Sequence, residues 1–275
     1  EFFQTKDYPE HIINPEHGLY SGAYDLMVTN DLPSYSPGKC LFIGHGMGAG
    51  KLYGLDQPNP YFRNPKLVTA AIASSADMVN VVASYCGISK DQVFAYGMPR
   101  TDAYFGHEFK KTHKHLYAPT FRFNQWQPKF DQLSYYMKEG EKLIAKPHMV
   151  TGHFSRSVWH NIDVVSSDEV STPYLLEADS VITDYSSIMF DAMVMRKPVI
   201  LFAKDKDHYL SSRGMYEPYP QFYSDFFFDN EKDLAQYIGE AEWSSMDEVR
   251  SNHYVRSCDG HSTERVVDLM KSMMS

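Results

Sequence analysis

The sequence predicts an α/β protein made of two parallel-sheet domains. Short apolar runs of strand length alternate with helical stretches along almost the whole chain, the pattern of strands joined through crossover helices. One polar, basic break, GHEFKKTHK at Gly106–Lys114, interrupts that alternation before it restarts. Residues 1–110 and 111–275 therefore read as separate domains around a linker. With 275 residues, 43% hydrophobic and 15% aromatic, the chain has material for two ordered cores.

In the first domain, Cys40–Gly44 (CLFIG) is a buried strand ending at His45. Leu67–Ala73 is a second strand, followed by a helix over Ala76–Cys86. Val93–Tyr96 (VFAY) is a third and runs into the turn GMPRTD, Gly97–Asp102. The second domain opens with strand Leu116–Ala118 and a helix over Pro128–Glu139. Strands Lys142–Lys146 and Ile162–Val165, a short helix over Thr172–Ala178, and strand Ser180–Thr183 come next. Helix Ser186–Met195 and strand Pro198–Phe202 follow. Pro128 suits a first helical position, and Pro198 stops the helix before it. Helices over Glu231–Ala241, Met246–Ser257 and Ser262–Met273 close the chain, the last a candidate to cross back onto the first domain. Parallel strands need right-handed crossovers, and such sheets bind ligands beyond their carboxyl strand ends. Polar residues directly after strands are therefore the candidates for function.

A net charge of −9 argues against a nucleic-acid binder with a basic face, while leaving room for a local anion pocket. Cys40, Cys86 and Cys258 are too scattered for a metal or a disulfide framework and read as free thiols in a reducing compartment. No apolar run approaches the ~18–20 residues that span a bilayer, and no signal-peptide pattern opens the chain. The chain starts at Glu1, so its beginning reads as processed or truncated. The tract His107–His115 lacks zinc-ligand spacing.

Four strand-end loops stand out. GHGMGAGK, Gly44–Lys51, puts a histidine, glycines and a lysine after a strand. Glycines let backbone N–H groups approach an anion, Lys51 adds charge, and the imidazole of His45 titrates where a general base must. The P-loop spacing fails, and a plain Gly-rich turn is the alternative. YAPTFR, Tyr117–Arg122, brings Arg122 to a strand end, where a guanidinium clamps phosphate or pairs with a surface carboxylate. KPHMVTGH, Lys146–His153, does the same for His148, which is either a site residue or a satisfied structural histidine. VITDYSSIMFDA, Val181–Ala192, sets Asp184, Ser186 and Ser187 between a strand and an apolar, buried helix. One serine suffices for a cap; two beside Asp184 suggest that the helix start also holds an anion. Weaker candidates are SRGMYEPY, with Arg213, and DGHSTERV, where Ser262 caps a helix.

GHG, GMPRTD, YAPTFR, KPH, ADSVITDYSSIMFDAMVMRKPVILF, SRGMY and HSTERVVDLM, in this order, resemble the CDP-glycerol glycerophosphotransferase family, the teichoic acid glycerol- and ribitol-phosphate polymerases and primases. The resemblance runs from about Leu41 to Met270. It implies a GT-B fold, two Rossmann-like domains facing a cleft, with an acceptor-side N-terminal domain that looks trimmed and a C-terminal domain for the CDP-linked donor. It implies transfer of a polyol phosphate from CDP-glycerol or CDP-ribitol to a hydroxyl of a polymer or lipid-linked glycan, releasing CMP. His45 would be the base; His148, Arg122, Asp184, Ser186 and Ser187 would meet the pyrophosphate or its developing charge, with Arg213 a weaker transfer. The family usually reads HGTPLK at the first motif, whereas here Lys51 falls one position later, which puts its role in doubt. Mg²⁺ could share in charge neutralisation, but no DxD-type carboxylate pair is visible, and no other cofactor is implied. By the same analogy the protein would be cytoplasmic, peripheral at the inner membrane face. A GT-B glycosyltransferase or a non-catalytic nucleotide- or polymer-binding module are the alternatives.

Overall fold

The computed structural model describes residues 25–30, 32–33, 36, 38–44, 46–47, 67–108, 110–121, 127–150, 153–154, 157–241 and 252–275. They fall into two compact units, one of Glu1–His45, Gln57–Ala103 and Arg256–Ser275, the other of Gly46–Asp56 and Tyr104–Val255.

The first unit holds β1 (Leu26–Thr29), β2 (Lys39–Phe42), β3 (Ala70–Ile72) and β4 (Val93–Phe94), all parallel and in that spatial order. Helix α1 (Val79–Cys86) links β3 to β4 and stops at Gly87, whose φ of 61° is open to glycine without a Cβ penalty. Cys40 and Cys86 are buried free thiols. Burial pushes them up to about 11 and about 12, the latter with a further contribution from Cys40, so neither is a nucleophile near neutral pH.

The second unit runs β5 (Lys114–Tyr117), α2 (Phe130–Tyr136), β6 (Lys142–Ala145), β7 (Ile162–Val164), α3 (Thr172–Glu177), β8 (Ser180–Thr183), α4 (Ile188–Val194), β9 (Val199–Phe202), α5 (Lys206–Ser212), β10 (Phe226–Phe228) and α6 (Glu231–Glu240). Its six strands are parallel, in the order β10-β9-β8-β5-β6-β7. The first three strands add outward on one side of β5 and the last three on the other, so the order reverses between β5 and β8. This is the Rossmann strand order. Tyr117, Ile182, Ile200 and Phe202 turn to one face and pack with Phe130 and Leu133 of α2 and Leu234 and Ile238 of α6. On β8 and β9 the alternate positions are buried too, as a sheet covered on both faces requires.

Two parallel sheets are as the sequence predicts. Three elements were not anticipated. β1 and β10 are four and three residues long, too short to show a period, and α5 (KDHYLSS) has no apolar stripe. Of the helix expected over Met246–Ser257, the described part is a single 3₁₀ turn at Asn252–Tyr254, and its first half lies outside the described residues.

Helix α7 (Ser262–Met274) belongs to the first unit. Ser262 does not cap it. The carboxylate of Asp102, from the GMPRTD turn, accepts the N–H groups of Ser262 (3.0 Å) and Thr263 (2.6 Å). Arg265 donates to Tyr96 O and Ser257 O and pairs with Asp259, tying the helix start to the end of β4. The two motifs thus form one structural joint.

At the amino ends of the second sheet, charges are consumed internally. Glu141 accepts from the fully buried His115 (2.9 Å) and from His113 (3.0 Å), while His115 Nδ1 faces Ser180 Oγ at 2.9 Å. Lys197, buried just before Pro198, donates to the carbonyls of Leu176 and Ala178 and so closes the end of α3. Burial opposes the charge of Glu141, but the hydrogen bonds from His115 and His113 outweigh it and hold its carboxyl below the ordinary value of 4.5. A depressed carboxyl pKa contributes stability that is present above the unfolded value and is lost as pH falls through the folded one. The Glu141→Gln variant is expected to lose about 1–3 kcal/mol at neutral pH, and the gap to wild type should close as pH drops below about 4.5. Urea titrations across pH measure this; a gap that stays constant would contradict it.

Candidate active site

β5 and β8 lie side by side where the strand order reverses, so their exit loops diverge from a common point. Two hydrogen bonds bind those loops together. Thr183 Oγ1 donates to Ala118 O (2.7 Å), and Asp184 Oδ1 accepts from Thr120 N–H (2.7 Å). The same oxygen accepts from Tyr185 N–H (2.6 Å), and Asp184 is fully buried. Asp184 was expected to meet phosphate. Its carboxylate instead satisfies backbone donors, which suits a negative group better than a phosphate neighbour does.

Tyr185 anchors the next step of the turn. Its ring is fully buried and stacked on Tyr209, with centroids 3.6 Å apart at 8°, and its hydroxyl donates to Asp205 (3.0 Å) at the start of α5. With Asp184 and Tyr185 pinned, Ser186 and Ser187 come to the rim half-exposed. Ser187 is the N-cap residue of α4, yet its side chain makes no capping bond, and its backbone is helical (φ −63°, ψ −10°). A capping hydroxyl reaches the first-turn amides from an extended backbone, and this one does not have it. The expectation that capping uses one serine is therefore corrected: among the described residues neither hydroxyl has a hydrogen-bond partner. Helix α4 itself is buried, as expected. Gly46, from the GHG motif, runs past this point; a Cβ there would sit 3.2 Å from Ser187 Oγ.

The β6 exit loop brings His148. Val150 N–H donates to its Nδ1 (3.2 Å), so the neutral ring carries its proton on Nε2 and offers a donor there. Its face lies against Phe121, centroids 5.4 Å apart. Lys146, directly after β6, is buried and donates to Ser167 O (3.2 Å). Burial lowers its pKa while Glu169 and Asp168 pull it back up.

Asp184, Ser186 and Ser187 thus follow β8 and His148 follows β6, the two strands that flank β5. Arg213, half-buried, terminates α5 on the β9 side. His45, Lys51 and Arg122 lie outside the described residues. Among the described residues no group of three or more His, Cys, Asp or Glu is placed to hold a metal ion, and no helix is long and apolar enough to cross a membrane. Sequence reasoning passed over Thr120, Phe121, Tyr185 and Lys146. All four sit inside the motifs it quoted, but as backbone donor, ring wall, anchor and buried cation they carry no chemical label of their own.

Since the serine hydroxyls do not cap α4, Ser186→Ala and Ser187→Ala should each leave thermal stability within about 0.5 kcal/mol of wild type, against the ~1 kcal/mol that losing a true cap costs. Calorimetry decides; a loss of cap size in either variant would restore the capping role.

The chain matches, over residues 26–272, the family described as CDP-Glycerol:Poly(glycerophosphate) glycerophosphotransferase. It is 28% identical over 260 residues to a teichoic acid poly(ribitol-phosphate) polymerase of Bacillus spizizenii, covering 82% of this chain but only 42% of that one. It is 25% identical over 305 residues to a teichoic acid glycerol-phosphate primase of Bacillus subtilis, covering 97% of this chain and 78% of the primase. Among solved structures, the wall teichoic acid polymerase TagF superposes with a TM-score of 0.67 at 18% identity, over 88% of this chain and 69% of that one. An S. aureus MnaA–UDP structure superposes at 0.53 and 14% identity, over 90% and 75%. These structural likenesses speak for the two-sheet fold.

Proposed function

Because the chain belongs to the CDP-glycerol:poly(glycerophosphate) glycerophosphotransferase family, we propose that it transfers glycerol phosphate or ribitol phosphate from a CDP-linked donor to a hydroxyl of a cell-wall polymer or its lipid-linked precursor. The observation that carries this reading is the pair of serine hydroxyls after β8 that cap nothing, with His148, its Nδ1 held by Val150, after β6 on the other side of β5. Hydrogen-bonding groups at the carboxyl ends of such strands suit a pyrophosphate, the part that CDP-glycerol and CDP-ribitol share.

In the reaction, the acceptor oxygen attacks the phosphorus that bears the polyol. A new P–O bond forms there, the P–O bond to the CMP phosphate breaks, and its electron pair leaves with CMP. His45 would take the acceptor's proton. Charge grows on the leaving bridge oxygen and on the equatorial oxygens, where fixed donors do most for the barrier. His148 Nε2–H and the hydroxyls of Ser186 and Ser187 are such donors. With Nδ1 already accepting from Val150, His148 acts by donating rather than as a base. Arg122, Lys51 and Arg213 would add positive charge on the donor side. A TagF variant structure is described with CDPG after a soak, which supports a CDP-linked donor for this family member too. The acceptor class follows the family analogy, as does action at the inner membrane face.

Incubation with CDP-glycerol, CDP-ribitol and common UDP-sugars, each with an acceptor, should release CMP from a CDP-polyol and no UDP. UDP release without CMP would mean a glycosyltransferase, and binding without any turnover a non-catalytic module. His148→Ala should cut kcat by ~100-fold, the lower range for a positioned proton donor, and Ser186→Ala with Ser187→Ala should chiefly raise the donor KM.

A further inference from the structure

His148 reaches the site from the β6 loop, and something must fix its ring relative to the serines on the β8 loop. The contacts run in a chain across three strand ends. Asp184 Oδ1 holds Thr120 N–H at 2.7 Å. The next residue, Phe121, lays its ring against the imidazole of His148 at 5.4 Å and 55°. Val150 N–H fixes the Nδ1 side of the same ring. Asp184 also holds the amide of Tyr185, directly before Ser186. One buried carboxylate oxygen therefore sets both the loop that backs His148 and the turn that presents the serines.

We infer that Asp184 is a positioning residue for His148, acting through Thr120 and Phe121 and not on the substrate. Two physical points support this. The carboxylate is fully buried and turned to backbone N–H groups, and a negative group facing phosphate would raise the barrier. Holding these two amides needs an oxygen acceptor. An amide oxygen at the same place can accept the same two N–H groups. The inference rests on the proposed phosphoryl transfer only for the task given to His148; the geometry it asserts can be tested without substrate.

The test uses the whole chain with ¹⁵N-labelled histidine, the His148 ring being assigned by its loss in His148→Gln. Long-range ¹H–¹⁵N spectra of wild type should show the Nε2–H tautomer. In Asp184→Ala and in Phe121→Ala the His148 nitrogens should move toward the averaged values of an imidazole free to exchange tautomers. In Asp184→Asn they should stay at the wild-type values. With a CDP-polyol donor, kcat should fall at least ~10-fold in Asp184→Ala and Phe121→Ala, the scale of a catalytic group displaced by a fraction of an ångström. Asp184→Asn should recover it to within about 3-fold, since it keeps the oxygen that accepts both amides. Wild-type His148 signals in Asp184→Ala overturn the inference, and so does an Asp184→Asn variant as impaired as Asp184→Ala. Should Asp184→Ala fail to fold, Phe121→Ala decides, because its ring is half-exposed and unchanged His148 signals there break the chain of contacts. A wild-type protein with ordered His148 and no turnover of any CDP-polyol would defeat the proposed function while upholding the positioning role.

Discussion

The second unit depends on what happens to the backbone where its parallel sheet changes direction. Between β5 and β8 the crossovers part to opposite sides, and the loops leaving those strands lose the ladder partners that their amides had inside the sheet. Buried N–H groups left unpaired are costly. Asp184 answers that demand with one oxygen shared between Thr120 and Tyr185, and Thr183 adds a bond to Ala118. The loops diverge at the reversal, and these bonds tie them together at the root.

The two ends of the sheet are treated differently. At the amino ends, Glu141 is shared by His113 and His115, Asp179 takes the amides of Thr112 and His113, and Lys197 takes the carbonyls that finish α3. Polar groups there are consumed by one another, which suits an end with a structural task alone. At the carboxyl end of β8, among the described residues, Thr183, Asp184 and Tyr185 at the base of the loop are consumed. Tyr185 is locked between Tyr209 and Asp205, and the two residues after it reach the rim uncommitted. The contrast agrees with the general rule that open parallel sheets take their ligands beyond the carboxyl ends of the strands.

Much of this was legible in the sequence, and what was not has specific causes. β5, β6, β8 and β9 announce themselves as apolar runs ended by polar knots, so the strand-end loops could be singled out without coordinates. One of Ser186 and Ser187 was expected to cap α4 because residue type suggests a role that only the backbone dihedral decides. Asp184 was grouped with the phosphate contacts by its place in the matched motif, and its bond to Thr120 could not be foreseen because that partner lies 64 positions away. The cap on α7 is Asp102, 160 positions before Ser262 in sequence, so local pattern assigned the cap to Ser262. β10 escaped because three residues are too few to show a period, although phenylalanine favours strands. Periodicity reads short-range order; the failures at Asp184 and Ser262 concern bonds that close over long sequence separations.

The return of α7 to the first unit has a consequence for how the protein is made. Residues Arg256–Ser275 leave the ribosome after the whole of Tyr104–Val255, yet they hold the helix that Asp102 caps and the arginine that binds Tyr96 O. The stretch Tyr104–Val255 can therefore begin to collapse while the first unit still waits for its last helix. Vectorial synthesis thereby separates the two folding events, the unit begun first being completed only after the chain of the second has emerged.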